Sequence, residues 1–271
     1  MYTFHSKNLV GITIFPAIEV YTSFYTLSIF HCHHYLNNDC DIYLRQMLKF
    51  TINSGPDSLV DRCLEVAGIA LDPSSFKELP VPLKELLLFK LSKMGLCSGV
   101  GLENLVHPSL LNLDLHSCYI PEKSLLLIEG LKQLESLNLP QPPCVTSKEY
   151  SEATLVKVVK GKPNLLLLSM VGLVGVTDRV ISVLVGGSPK LTVLELQNTS
   201  ISSNALYCLA TLSCLENLNI SRTEVNDSGL EHLCYGSSGE SLKKLWTDGC
   251  VRLSGGYLKL LQQEGSDSQN S

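Results

Sequence analysis

Apolar residues recur between Leu110 and Leu253 at a fixed spacing, Leu-x-x-Leu-x-Leu with occasional substitutes. The copies are Leu110-Leu113-Leu115, Leu134-Leu137-Leu139, Leu165-Leu168-Met170, Leu191-Leu194-Leu196, Leu215-Leu218-Ile220 and Leu242-Leu245-Thr247. The first leucines are 24, 31, 26, 24 and 27 residues apart. In an extended segment alternate side chains point to opposite faces. Leu113 and Leu115 therefore share an inner face, and Asn112, Asp114 and His116 the outer one. The eighth residue after each first leucine is Cys118, Pro142, Leu173, Thr199, Thr223 or Cys250. Cys and Thr suit a buried position where the chain leaves a strand. Helical segments are predicted near 122–131, 148–160, 178–186, 202–212, 227–235 and 255–264. One strand plus one helix per 24–31 residues is the period of a leucine-rich repeat. One unit cannot bury its apolar edge alone, so the units must stack. The pattern predicts an α/β fold, a leucine-rich-repeat solenoid (horseshoe) of about six repeats.

A short helical module precedes the repeats. Gly55-Pro56 breaks the chain, and Asp57 or Ser58 can cap a helix over Ser58–Leu71. Leu59, Cys63, Val66, Ala67 and Ala70 share one face of it. A second helix follows Leu79-Pro80, with Pro82 in its first turn and Gly95 at its end. Leu83, Leu86, Leu87, Leu91 and Met94 form a stripe that would dock on the first repeat. Leu88 and Phe89 fall outside this stripe. Exposed, they would form a partner contact; covered by Ser58–Leu71, they would be core. The expected division is an atypical, poorly ordered extension over 1–56, a helical F-box-like or cullin-box-like module over 57–106, the repeats over 107–264, and a disordered tail over 265–271.

Charge narrows the partners. Lys plus Arg number 21 against 26 Asp plus Glu, and no dense basic run occurs, so nucleic acid is not expected as a partner. Ten cysteines include no Cys-x-x-Cys pair, and Cys118 and Cys250 occupy repeat-defined positions. Reduced structural thiols in a cytoplasmic or nuclear protein follow. Leu9–Phe30 is long enough to span a bilayer, with Glu19 its only charge. It lacks the basic start and small-residue site of a signal peptide, and membrane attachment is not expected. His31-Cys32-His33-His34 are adjacent, whereas zinc ligands come in spaced pairs; no metal or cofactor is expected. No phosphate-binding, zinc-protease or nucleophile-elbow motif is present, and no enzyme activity is expected.

A resemblance emerges from the ordered set of segments. Leu79-Pro80, Leu83-Lys84, Leu87 and Ser92 to Gly95 come first. His107-Pro108, Leu113-Asp114-Leu115, Ser117-Cys118-Tyr119-Ile120 and Thr223-Glu224-Val225-Asn226-Asp227-Ser228-Gly229 follow. Together they resemble the antagonist of mitotic exit network family, whose repeats are similar in turn to the cysteine-containing repeats of F-box proteins. The likeness covers about 58–260. It implies a non-catalytic substrate-recognition subunit of an SCF-type cullin ubiquitin ligase, linked to cell-cycle regulation. The Leu-Pro helix would hold a Skp-type adaptor, or elongin if it is a box of that kind, together with a cullin. Leu88 and Phe89 would make that contact, and the repeats would hold the protein substrate. The alternative is a repeat scaffold with no ligase.

A solenoid usually binds partners on its concave strand face. The outward positions there include Asn112, Asp114, His116, Leu167, Val193, Glu195, Asn217, Lys244 and Trp246. Val171 extends Leu167 and Val193 into an apolar patch, which suggests protein contact unless a loop or the tail covers it. Trp246 is the only tryptophan; it would serve as an interface anchor or as a cap on the open end.

Overall fold

The computed structural model describes residues 73–141 and 150–254. Six strands of three residues each form one parallel sheet in strict chain order. They are β1 (Asn112–Asp114), β2 (Ser136–Asn138), β3 (Leu167–Ser169), β4 (Val193–Glu195), β5 (Asn217–Asn219) and β6 (Lys244–Trp246). The register aligns Leu113, Leu137, Leu168, Leu194, Leu218 and Leu245 across the sheet. The first five are buried, and Leu245 is half-buried at the end. Leu115, Leu139, Met170, Leu196 and Ile220 form a second buried column. The inner positions of the alternation expected from the sequence are therefore filled by apolar residues in every strand.

Helices pack behind the sheet. The first two are α1 (Val81–Lys93) and α2 (Gly99–Leu105), before the repeats. Next come α3 (Glu122–Leu125), α4 (Glu152–Val159), α5 (Asp178–Gly187), α6 (Ser203–Leu209), α7 (Asp227–Tyr235) and α8 (Ser237–Ser241). α3 runs directly into a 3-10 turn, Leu126–Gly130, and a second 3-10 turn spans Pro73–Glu78 before α1. The expected helix near 148–160 starts at Glu152, and that near 202–212 ends at Leu209. α2 was not foreseen; the Ser98 hydroxyl accepts the Gly101 N–H at 3.1 Å, and Leu102 and Leu105 are buried. The helices expected at 58–71 and 255–264, the segment Leu9–Phe30, the cluster at His31 and the proline-rich stretch 142–149 lie outside the described residues.

Two ladders hold successive units together. Just after four strands, Gly172, Asn198, Arg222 and Gly249 take φ of 75°, 56°, 57° and 75°. The N–H of Gly172, Asn198 and Arg222 each donates to the next unit, to Gln197, Ser221 and Asp248 carbonyls at 2.8–2.9 Å. Glycine and asparagine tolerate this left-handed conformation, whereas arginine is strained there. Further along the same strand-to-helix connections, the acid that opens each of four helices accepts a hydrogen bond from a following unit. Glu122 accepts from Ser151 N, Glu152 from Thr177 Oγ1 and Asp178 from Ser202 N. Asp227 likewise accepts from Ser254 N.

Lys162 is fully buried, and its Nζ donates to the carbonyls of Ile128, Glu129 and Leu131. It plugs the carbonyl end of the 3-10 turn that ends the previous unit's short helix. Burial, with the charge of Lys132 nearby, pulls its pKa down to about 8. Between that value and the unfolded 10.5 the unfolded chain holds more protons, so this group adds stability as pH rises through the window.

Two outcomes follow. The stability of wild type relative to Lys162→Met is expected to increase from pH 8 to 10 in urea titrations, and a pH-independent difference would contradict the buried, depressed amine. Arg222→Gly is expected to stabilise the chain by about 1 kcal/mol by relieving the positive φ. A lower midpoint in the same titration would show that the arginine side chain outweighs the strain.

Candidate interaction surface

Alternation in the strands leaves one side chain in two pointing away from the core. Asn112, His116, Glu195, Lys244 and Trp246 are exposed, and Asp114, Leu167, Val193 and Asn217 are half-buried. Eight of the nine thus lie along one sheet face in the register of the strands, and His116 follows β1 just beyond it. Ser169 and Ser221, which the same alternation would turn outward, are instead buried. Ser169 Oγ donates to Glu195 Oε2 at 3.1 Å, so it supports the face rather than presenting itself on it. Trp246, 40% exposed, stands on the last described strand. Val171 is also half-buried, so the apolar patch with Leu167 and Val193 is only partly accessible.

The contact expected from α1 needs correcting. Leu87, Leu88, Leu91 and Ser92 are its buried residues. The buried arc is turned toward Leu88 and away from Leu83, which is half-exposed. Leu88 is 3% exposed and belongs to the core; Phe89 is 55% exposed. The pair cannot act as a joint exposed contact, and only Phe89 remains accessible. The reason lies in how α1 is anchored. Gly95, at φ 68°, ends the helix, and Leu96 N–H returns to Leu91 O at 2.8 Å. A Cβ at Gly95 would sit 2.9 Å from Ser117 O, so glycine lets the helix end approach the first unit. The Cys118 thiol donates to Ser92 O at 3.7 Å. These contacts press the Leu88 side onto the repeats.

Between α1 and the start of the sheet lies a cleft of about 390 Å³. Phe89, Leu111, Asn112 and Asp114 line it, so it joins the accessible part of α1 to the outward face. Lys93 Nζ bridges its mouth, 3.2 Å from Asp114 Oδ2 and 5.7 Å from the Phe89 ring centre. Burial alone would raise the Asp114 pKa, but hydrogen bonds from His116 N–H, Lys93 and Asn138 outweigh it and hold the carboxyl below its ordinary range. At the other end His107 Nε2 lies 3.3 Å from Glu85 Oε1 and its Nδ1 3.0 Å from Ser109 Oγ. Sequence reading found Asp114 and Phe89 separately. It missed the cleft, because their proximity depends on the angle at which α1 docks.

Other chemistry is sparse. Among the described residues no three His, Cys, Asp or Glu side chains are grouped to hold a metal ion. Six cysteines there are free thiols, with Cys97, Cys118 and Cys250 buried. Its hydrogen bond with Cys118, and then burial, push the Cys97 thiol far up, while the same contact holds Cys118 down. No described helix is long and apolar enough to cross a membrane.

No family model matches the sequence, and none of the curated proteins does. Three solved structures are similar over parts of the fold. The tropomodulin C-terminal domain of Caenorhabditis elegans overlaps 52% of this chain and 89% of its own, at 14% identity and a TM-score of 0.40. The leiomodin-1 actin-binding site 2 overlaps 55% and 89%, at 16% identity and a TM-score of 0.34. The yeast complex of Rad7 and Elc1 contributes a chain overlapping 92% and 85%, at 13% identity and a TM-score of 0.38. None of these overlaps is close enough to define a family, and the reading below rests on the residues themselves.

Trp246→Ala is expected to keep a cooperative thermal melt by circular dichroism, since the ring is partly solvated on the outward face. Loss of cooperativity would reassign Trp246 to the core.

Proposed function

We propose that this chain is a non-catalytic protein-recognition subunit that holds its partner on the outward, concave face of a horseshoe-shaped leucine-rich-repeat array. The observation that carries the reading is the sorting of each strand. One set of side chains is consumed by the core, while the other set is aligned across six strands and, apart from the buried Ser169, stays exposed or half-buried. The face mixes amides, scattered charges, aliphatic groups and a tryptophan, a composition suited to protein rather than to nucleic acid.

The finer proposal is that the chain serves as the substrate-recognition subunit of an SCF-type cullin ubiquitin ligase in the cytoplasm or nucleus, with a role in cell-cycle regulation. Support comes from the resemblance of the Leu79–Gly95 helix and the repeats to the antagonist of mitotic exit network family and to F-box proteins. Phe89, exposed beside the first repeat, is then the contact for a Skp-type adaptor or elongin. The second reading is a scaffold without a ligase. It is favoured by the burial of Leu88, which leaves α1 a single accessible large apolar residue in that turn.

The test is affinity capture with the full chain, probing for a Skp-type adaptor, elongin and cullins. Capture by wild type and its loss in Phe89→Asp, with an unchanged melt, are expected of a ligase subunit. Capture of none of them by the folded chain would leave the scaffold reading.

A further inference from the structure

The cleft between α1 and the first two strands has a chemistry narrower than the face it opens onto. Leu88, Leu110, Leu111 and Leu113 supply apolar lining, and the two charged residues that line it are both acidic, Glu85 and Asp114. Its volume, about 390 Å³, lies at the small end of ligand-sized clefts. One observation points to the occupant. At the mouth, the chain's own Lys93 shows where a cation sits, against the Asp114 carboxylate and over the Phe89 ring. The Lys93 side chain is 59% exposed, and an ion pair so placed is weakly held and can exchange.

We propose that this cleft is the anchor pocket for an arginine of the partner protein, carried on a segment lying along the outward face. The inference rests on that face being a protein-recognition surface. The arginine's aliphatic stem would lie on Leu88 and Leu111. Its guanidinium takes the place of the Lys93 amine on Asp114 and stacks on Phe89. Arginine suits the site better than lysine because its planar fork offers five donors. Asn112, Ser136 and Asn138, whose side chains carry oxygens able to accept hydrogen bonds, line the same cleft as Asp114. A cation over an aromatic face adds attraction. An acidic side chain is repelled by Asp114 and Glu85.

The experiment is fluorescence anisotropy of the full chain with fluorescein-labelled Gly-Leu-Arg-Leu-Gly and the same peptide with Lys, Gln or Glu at the centre. The arginine peptide is expected to bind at least tenfold more tightly than the glutamine one, with lysine between them and no binding of the glutamate peptide. Asp114→Asn should weaken it tenfold or more, and Phe89→Ala severalfold. Lys93→Ala should tighten it severalfold by freeing Asp114, and this surface change leaves the fold intact. Equal binding of the arginine and glutamine peptides, weakening in Lys93→Ala, or no binding of any peptide would overturn the proposal. A second arm, capture of partner protein from lysate by wild type and Trp246→Ala, keeps the two readings apart. Peptide binding without any Trp246-dependent capture would count against the wider face and not the pocket; capture without peptide binding would count against the pocket alone.

Discussion

A single column of leucines holds this fold in register. Each strand has only three residues, too few to fix its own pairing. Side chains alternate with a period of two, so slipping a strand by one position would turn its central leucine out to water. Leu113, Leu137, Leu168, Leu194 and Leu218 are buried within 2% of completely, one beside the next. Removing such a side chain costs about 2–5 kcal/mol, a large share of the stability of a protein of this size. The hydrogen-bond ladders add direction to this packing. They make each unit's turn and helix cap depend on its neighbour, through Asn198 to Ser221 and Asp178 to Ser202.

The same alternation divides the work of the chain. With the leucines committed to the core, residues beside them are released from it and are brought into line by the register. Asn112, Ser136, Leu167, Val193, Asn217 and Lys244 form one row, although they are distant in sequence. No single unit could make such a surface. α1 adds a wall to its first end, and the docking of Leu88 converts part of a flat face into a cleft with an aromatic rim and two carboxylates.

Much of this was legible in the sequence because periodic burial leaves a periodic trace. The strands, the inner columns, the outward row and the span of α7 follow from spacing alone. Gly95 and Pro82 correctly bounded α1. What escaped were features set by contacts between elements. Leu88 is buried because α1 is turned by its anchorage at Gly95 and Cys118, and a helical wheel has no knowledge of that anchorage. Lys162 looks like a surface lysine until the short helix of the previous unit exposes carbonyls for it to cap. Ser169 faces outward in the pattern but is covered by its hydrogen bond to Glu195. One signal was present and overlooked: an acid opens four of the repeat helices, at Glu122, Glu152, Asp178 and Asp227, each just after a capping residue or proline. That recurrence marks the inter-unit cap ladder.

The division between core and surface within one strand is tested most directly at two adjacent residues. Asn217 and Leu218 are neighbours on β5, the first half-buried on the outward face and the second fully buried. The decisive measurement is the chemical denaturation of Asn217→Leu and Leu218→Asn, single changes of matched size in opposite senses. The account expects Asn217→Leu to unfold with a midpoint close to wild type. It expects Leu218→Asn to lose the cooperative transition or to fall by several kcal/mol, since it buries an amide without partners. Similar midpoints for the two variants, or the larger loss in Asn217→Leu, would contradict the register on which the core, the outward face and the cleft all depend.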